Sequence, residues 1–235
     1  LYWLTRRYFQ IKTNDKVNSL VMVLQAPIIA ILICCIFKNI SASVLFISSV
    51  AAIWFGTNNA SREIVSENSI YKRERMFNLS IVTYLFSKIS VLTFFSVAQT
   101  FLFVTILYLF YHDSSVSLNN PHLVFLWMLI LSVAATCLGL FLSSVLKTTE
   151  SVMSFVPLVL LPQIMLAGII AKIDSIGIEI LSYFTISRWG TEGFAIIQKE
   201  IIQEMEIGVY LPISSHKYIL SRFHKSFQEF NLNGD

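Results

Sequence analysis

The chain has 235 residues, 55% hydrophobic and 13% charged, with a mean hydropathy of +0.69 and a net charge of +3. A soluble domain carries about 25% charged residues, so this composition excludes an ordinary water-solvated fold and makes lipid the expected solvent. The lack of a basic face excludes a nucleic-acid binder, and Cys34, Cys35 and Cys137 lie inside apolar runs without the spacing of a disulfide framework or a metal site.

The three cysteines read as small packed hydrophobes. In chain order, residues 1–19 form a polar, basic arm, "LYWLTRRYFQIKTNDK" and the residues that follow it. No signal-peptide pattern is visible there, and the start at Leu1 makes an excerpt of a longer chain the expectation. A membrane helix needs about 20 mostly apolar residues. Five stretches meet that need: 20–38, 41–59, 86–111, 122–146 and 151–171. The second is diluted by Ser41, Ser43, Ser48 and Ser49. Pro27 in the first span, and Pro157 and Pro162 in the fifth, are expected to kink their helices. The fold class is therefore all-α: a polytopic helical membrane protein whose transmembrane domain covers 20–171, with a polar loop at 60–83. Residues 172–206 alternate apolar and polar side chains at helical spacing, so outer interfacial or re-entrant helices are expected there. Residues 207–235 read as an extracytoplasmic tail or loop, with a sixth span expected beyond Asp235.

Orientation follows from Lys and Arg in the short loops. Arg6, Arg7, Lys12 and Lys16 precede the first span, and Arg62, Lys72, Arg73, Arg75 and Lys88 lie in and just beyond the loop after the second span, with Lys147 after the fourth span. In the short loops of the opposite side, after the first and third spans, there is only Lys38. The N-terminus and the polar loop are expected to be cytoplasmic, in a plasma or inner membrane.

The stretch "FGTNNASREIVSENSIYKRERMFNLS" holds Arg62, Glu63, Glu67, Lys72, Arg73, Glu74 and Arg75, with Lys88 just beyond. Between Arg62 and Leu79 there is no proline or glycine, which predicts a short helix. On it Glu63, Glu67, Tyr71 and Glu74 would share one face, and like charges at i, i+4 cost an isolated helix about 0.2–0.5 kcal/mol. An ordered acidic face calls for cations from elsewhere: Arg6 and Arg7, or another polypeptide. A solvated loop made basic by the orientation rule accounts for the Lys and Arg but not for that face.

The segment "REIVSENSIYKRERMFNLSIVTYLFSKISVL" resembles the loop between the second and third membrane helices of ABC transporters of the G-subfamily type (type-two permeases), with Glu63 and Glu67, then Arg73-Glu74, then Tyr84 and Lys88 in the family's order. "LPQIMLAGIIAKIDSIGIEILSYFTISRWGTEGF" resembles the family's fifth helix and the re-entrant outer helices after it, with Ser187, Arg188, Trp189 and Glu192 in the last element. The resemblance implies that the polar loop is a coupling helix seated on a nucleotide-binding domain, with Glu63, Glu67, Tyr71, Arg73, Glu74 and Arg75 as contact and relay residues. It makes the arm around Tyr2 to Lys16 a cytoplasmic amphipathic connecting helix, whose Arg6 and Arg7 would meet the acidic face. It implies a second copy of the membrane domain, and a cavity lined by Phe55, Asn58, Leu161 and Met165. The sequence has no G-x-x-x-x-G-K-[ST] phosphate loop. ATP and Mg are therefore expected on a partner nucleotide-binding domain, fused upstream or separate.

Gln25, Asn58, Asn59, Gln99, Thr100 and Gln163 lie within the spans and read as helix–helix hydrogen-bonding groups before ligand contacts. His112, His122, His216 and His224 are scattered over loops, and no catalytic, cofactor-binding or metal-ligating arrangement appears. Two functions stay open: an ATP-driven permease domain exporting a lipophilic or amphipathic compound, and a membrane anchor or assembly protein whose loop docks a partner.

Overall fold

The structure is a computed structural model that describes residues 2–77, 79–112, 118, 120–167 and 176–198. Every regular element among them is a helix: α1 (Tyr2–Asn14), α2 (Lys16–Ile36), α3 (Ala42–Ala60), α4 (Glu63–Ser66), α5 (Asn68–Arg75), α6 (Ile81–Tyr111), α7 (Pro121–Val145), α8 (Thr149–Met165), α9 (Ile176–Ser182) and α10 (Ile186–Ile197).

Among the described residues three helices, α2, α6 and α7, are long and apolar enough to cross a membrane; α8 is a shorter apolar helix of 17 residues. The stretch at 41–59 does form a helix, α3, but it does not join these three. Its serines, Thr57, Asn58 and Asn59 lower its hydropathy, and other helices cover most of its surface. It is the central helix of the bundle, packed against α2, α6, α7, α8 and α10, and most of its side chains are buried. Ser48 and Ser49 satisfy themselves by donating to the carbonyls of Val44 and Leu45 at 2.7 and 3.1 Å. A helix surrounded by protein has no need of a wholly apolar surface.

The seam between α3 and α7 explains their close approach. A Cβ on Gly56 would stand 2.2 Å from the Ser132 carbonyl oxygen, and one on Gly139 would stand 2.6 Å from the Thr57 carbonyl oxygen. Ala52, Gly56 and Ala60 recur every fourth residue along α3, the small-residue spacing that lets membrane helices touch backbone to backbone. A ladder of amides ties α2, α3 and α6 together. Gln25 donates to Asn59 at 3.1 Å, Asn59 donates to Gln99 at 2.7 Å, and Gln99 donates to the Met22 carbonyl. Three of the intramembrane amides are thus helix–helix hydrogen bonds.

Pro27 lies inside α2, and Pro157 and Pro162 inside α8. Of the cysteines, Cys34 is buried, whereas Cys35 and Cys137 are exposed on apolar helices, so the packed-hydrophobe reading holds for one of the three. Apolar exposure of that kind suits a face turned to lipid. Helix α10 packs against α3, α7 and α8, with the Trp127 indole donating to the Gly190 carbonyl at 3.0 Å. The tail expected at 207–235 lies outside the described residues.

Candidate functional site

The charged side chains converge at one end of the bundle, where α1, α4, α5 and the first turns of α6 meet. Asp15 caps α2 by accepting from the Asn18 amide at 3.2 Å, and the Ser19 hydroxyl bonds back to the Lys12 carbonyl at 2.6 Å. The chain therefore turns sharply between α1 and α2. α1 then lies along α6, with Phe9 edge-on to Phe94 at 5.3 Å and Tyr8 buried beside Val91 and Phe95. Tyr8 and Lys12, one turn apart, are its two buried residues.

α4 is held from the other side. The first amides of a helix have no intrahelical acceptor, and here those of Ile64 and Val65 both donate to the buried Ser143 hydroxyl of α7 at 3.0 Å. The single helix expected from Arg62 to Leu79 does not form. The chain breaks at Glu67 (φ −101°, ψ 8°) into α4 and α5. Ser66 bonds back to the Glu63 carbonyl at 3.4 Å, the local competition that makes serine and asparagine poor in helix interiors. Ser143 and α6 fix the two pieces separately. Even so, each of the three acids finds its cation on α1 or α6.

Glu63 is buried. It pairs with Lys12, accepts a hydrogen bond from the Tyr8 hydroxyl and lies 3.8 Å from the Lys88 ammonium. Lys88, only 2% exposed, reaches Glu67 at 2.6 Å and sits 3.5 Å above the Tyr8 ring. Tyr84 donates to Glu67 at 3.4 Å and stacks with Tyr71 at 4.8 Å. Arg7 forks onto Glu74 through two bonds of 2.6 and 3.1 Å. Three cations from α1 and α6 thus neutralise three anions from the α4–α5 segment. The buried part of the cluster, Lys12, Glu63, Lys88 and Glu67, is stable only while complete, because removing one member of a buried pair strands the other.

The Arg7 fork holds the Glu74 carboxyl below the usual carboxylate range. Burial first, then the charge and hydrogen bond of Glu63, push the Tyr8 phenol upward, so it remains a donor. This arrangement ties the α4–α5 segment to α1 and α6 through ion pairs. It offers no nucleophile aligned with a base.

Of the sequence-predicted residues, the structure brings Glu63, Glu67, Tyr71 and Glu74 together with Tyr84 and Lys88. Arg73 and Arg75 are exposed. Arg7 meets the acidic face, whereas Arg6 turns to the Trp3 ring, 5.8 Å away. Sequence reasoning missed Tyr8, Lys12 and Ser143. The spacing of Tyr8 and Lys12 on one face of the arm was a usable signal, but nothing in the sequence marks Ser143 as the anchor of α4. The proposed cavity residues separate: Phe55 is wholly buried against Phe103 at 6.0 Å, Asn58 is half-buried, and Leu161 and Met165 are exposed on α8.

A family model described as ABC-2 type transporter matches residues 1–199. The chain is also similar to an ABC transporter ATP-binding/permease protein of Mycobacterium tuberculosis, 29% identical over 158 residues, which is 65% of this chain and 18% of that protein. The chain thus spans less than a fifth of the curated relative it matches. The helical bundle, its apolar spans and the family match agree: the chain belongs to the ABC-2 type transporter family of membrane domains.

Proposed function

We propose that the chain is the permease domain of an ATP-driven exporter, and that α4 and α5 are the coupling segment gripped by a nucleotide-binding domain outside these 235 residues. The observation that carries this reading is the ion-pair lock that ties α4 and α5 to α1 and α6 through Lys12, Glu63, Lys88, Glu67, Arg7 and Glu74. A push on α5 reaches α6, the longest of the described helices, through salt bridges and aromatic contacts rather than through a slack loop. The outer surface of α5 is free to receive a partner: Arg73 and Arg75 are exposed, as are Ile70, Met76 and Phe77 beside them. The related protein's name joins ATP-binding and permease functions in one chain, which supports a fused or associated motor carrying ATP and Mg.

In this reading α2, α3, α6, α7 and α8 all cross the membrane, the α4–α5 end is cytoplasmic, and the α9–α10 hairpin re-enters from the outer side. The cavity forms between two copies. Asn58, Leu161 and Met165 contribute to its wall, and Phe55 packs behind it. The cargo is lipophilic or amphipathic, in keeping with the apolar exposed face of α8, where Leu158, Leu161 and Met165 are more than half exposed.

The test is ATP turnover by the full-length protein reconstituted in membranes. Glu67→Arg places a cation beside Lys88 and is expected to abolish coupled turnover while expression and membrane insertion persist. Unchanged turnover would leave the anchoring role, in which the loop docks a partner without transmitting force.

A further inference from the structure

Beside the ion-pair cluster lies a cavity of about 530 Å³ that the coupling reading does not use. Its walls are Leu85 and Ile89 of α6 and Leu140 and Phe141 of α7; Asn68 and Tyr71 of the α4–α5 segment close its polar end. The volume falls in the range of about 300–1,000 Å³ typical of small-ligand sites. Its walls belong to two helices long and apolar enough to cross a membrane, and Phe141 is 65% exposed at its edge. With α6 and α7 in a membrane, the side of the cavity at Phe141 opens toward hydrocarbon, and an acyl chain is what is at hand to fill it.

Two cations lie next to lining residues in the sequence. Lys147 follows the lining residue Leu146, and Lys72 follows the lining residue Tyr71. Both lysines are exposed, and among the described residues neither makes an ion pair. The nearby acids Glu67 and Glu74 are committed to Lys88 and Arg7, and Glu150, the acid nearest Lys147 in sequence, does not pair with it. Two exposed lysines thus follow lining residues of the cavity without an acidic partner among the described residues, and lysines near a membrane surface attract anionic lipid.

We propose that this cavity is a binding site for one anionic phospholipid of the leaflet bathing the α4–α5 end, with an acyl chain between α6 and α7 and its headgroup on Lys147 and Lys72. Tyr84 lines the cavity and also donates to Glu67, so an occupant presses on the same aromatic pair that backs the ion-pair lock. The site makes lipid composition an input to the α4–α5 segment. The proposal rests on α6 and α7 spanning the membrane and not on ATP coupling.

The native Cys137 lines the cavity and is exposed, which supplies a probe. The full-length protein, with Cys35→Ser and Cys137 as its sole reactive thiol, is labelled with bimane and placed in phosphatidylcholine vesicles without nucleotide. A small fraction of brominated phosphatidylglycerol is expected to quench the probe several-fold more than the same fraction of brominated phosphatidylcholine. The Lys72→Gln/Lys147→Gln double variant is expected to reduce that preference, roughly fivefold per lysine. Leu85→Trp, which narrows the cavity, is expected to weaken the bromine-dependent part of the quenching by both lipids. Should Leu85→Trp fail to insert, the surface lysine variant still decides the matter. Equal quenching by the two lipids, or a preference untouched by the lysine changes, would overturn the proposal. Neither result bears on whether the motor couples, because no ATP is present.

Discussion

Lys88 of α6 places its ammonium 2.6 Å from the Glu67 carboxylate, at the junction where α4 ends and α5 begins. The break in the α4–α5 segment is thereby fixed to the first turns of α6, the longest of the described helices. Because Lys88 is almost fully buried, losing its charge leaves Glu67 without its cation and Glu63 with Lys12 alone. Breaking a buried pair costs about 3–5 kcal/mol. Lys88→Met is therefore expected to lower the thermal midpoint of the solubilised protein strongly. Lys88→Met combined with Glu67→Gln is expected to recover part of the loss, as read in a double-mutant cycle.

The Arg7–Glu74 fork is more exposed, with half of the Arg7 side chain accessible. A pair of this kind contributes about 0–1 kcal/mol, so Arg7→Glu or Glu74→Arg should barely move stability. Each is expected to reduce coupled ATP turnover, and the double charge swap to restore it. The sign of the pH dependence follows from the lowered carboxyl of Glu74, whose chief cause is the hydrogen bond from Arg7. The fork is fully present above the ordinary carboxylate range, about pH 4.3, and is lost only as pH falls through the still lower folded value. Turnover measured across neutral pH should show no contribution from Glu74.

Ser143 accepts two amides at the start of α4, and Ser143→Ala leaves both without that acceptor. Loss of a helix cap costs about 1 kcal/mol. Amide exchange at Ile64 and Val65 is expected to quicken by roughly fivefold, with little change elsewhere, as measured by hydrogen–deuterium exchange.

Gly56 leaves no room for a side chain, because a Cβ would sit 2.2 Å from the Ser132 carbonyl oxygen. The obstacle is backbone, so the helices must move apart. Gly56→Ala is expected to destabilise by about 1–3 kcal/mol, whereas Asn58→Ala, at a half-buried position on the same helix, should cost less. Thermal unfolding of the two variants in detergent provides the comparison.

The parts of this fold legible in the sequence are those whose environment is set locally. α2, α6 and α7 announce themselves because lipid demands a long apolar stretch. α3 is harder to weigh because protein surrounds it, and its Ser48, Ser49 and Asn59 are satisfied by neighbours that hydropathy does not see. The acidic face of the polar loop was legible from the spacing of Glu63, Glu67 and Glu74. The break at Glu67 was not, because its cause lies in Ser143 and Lys88, both distant in sequence. Arg7 was anticipated as a partner and Lys12 was not. Only the packing of α1 along α6 decides which cation of the arm turns inward.

The central claim is that α5 lies on the cytoplasmic face, within reach of the motor. Ser69→Cys places a thiol on the exposed side of α5, in a background lacking other reactive cysteines. A membrane-impermeant maleimide is expected to leave it unmodified in intact cells and to label it once the cells are permeabilised. Labelling of Ser69→Cys in intact cells would put the ion-pair lock on the outside and contradict the account.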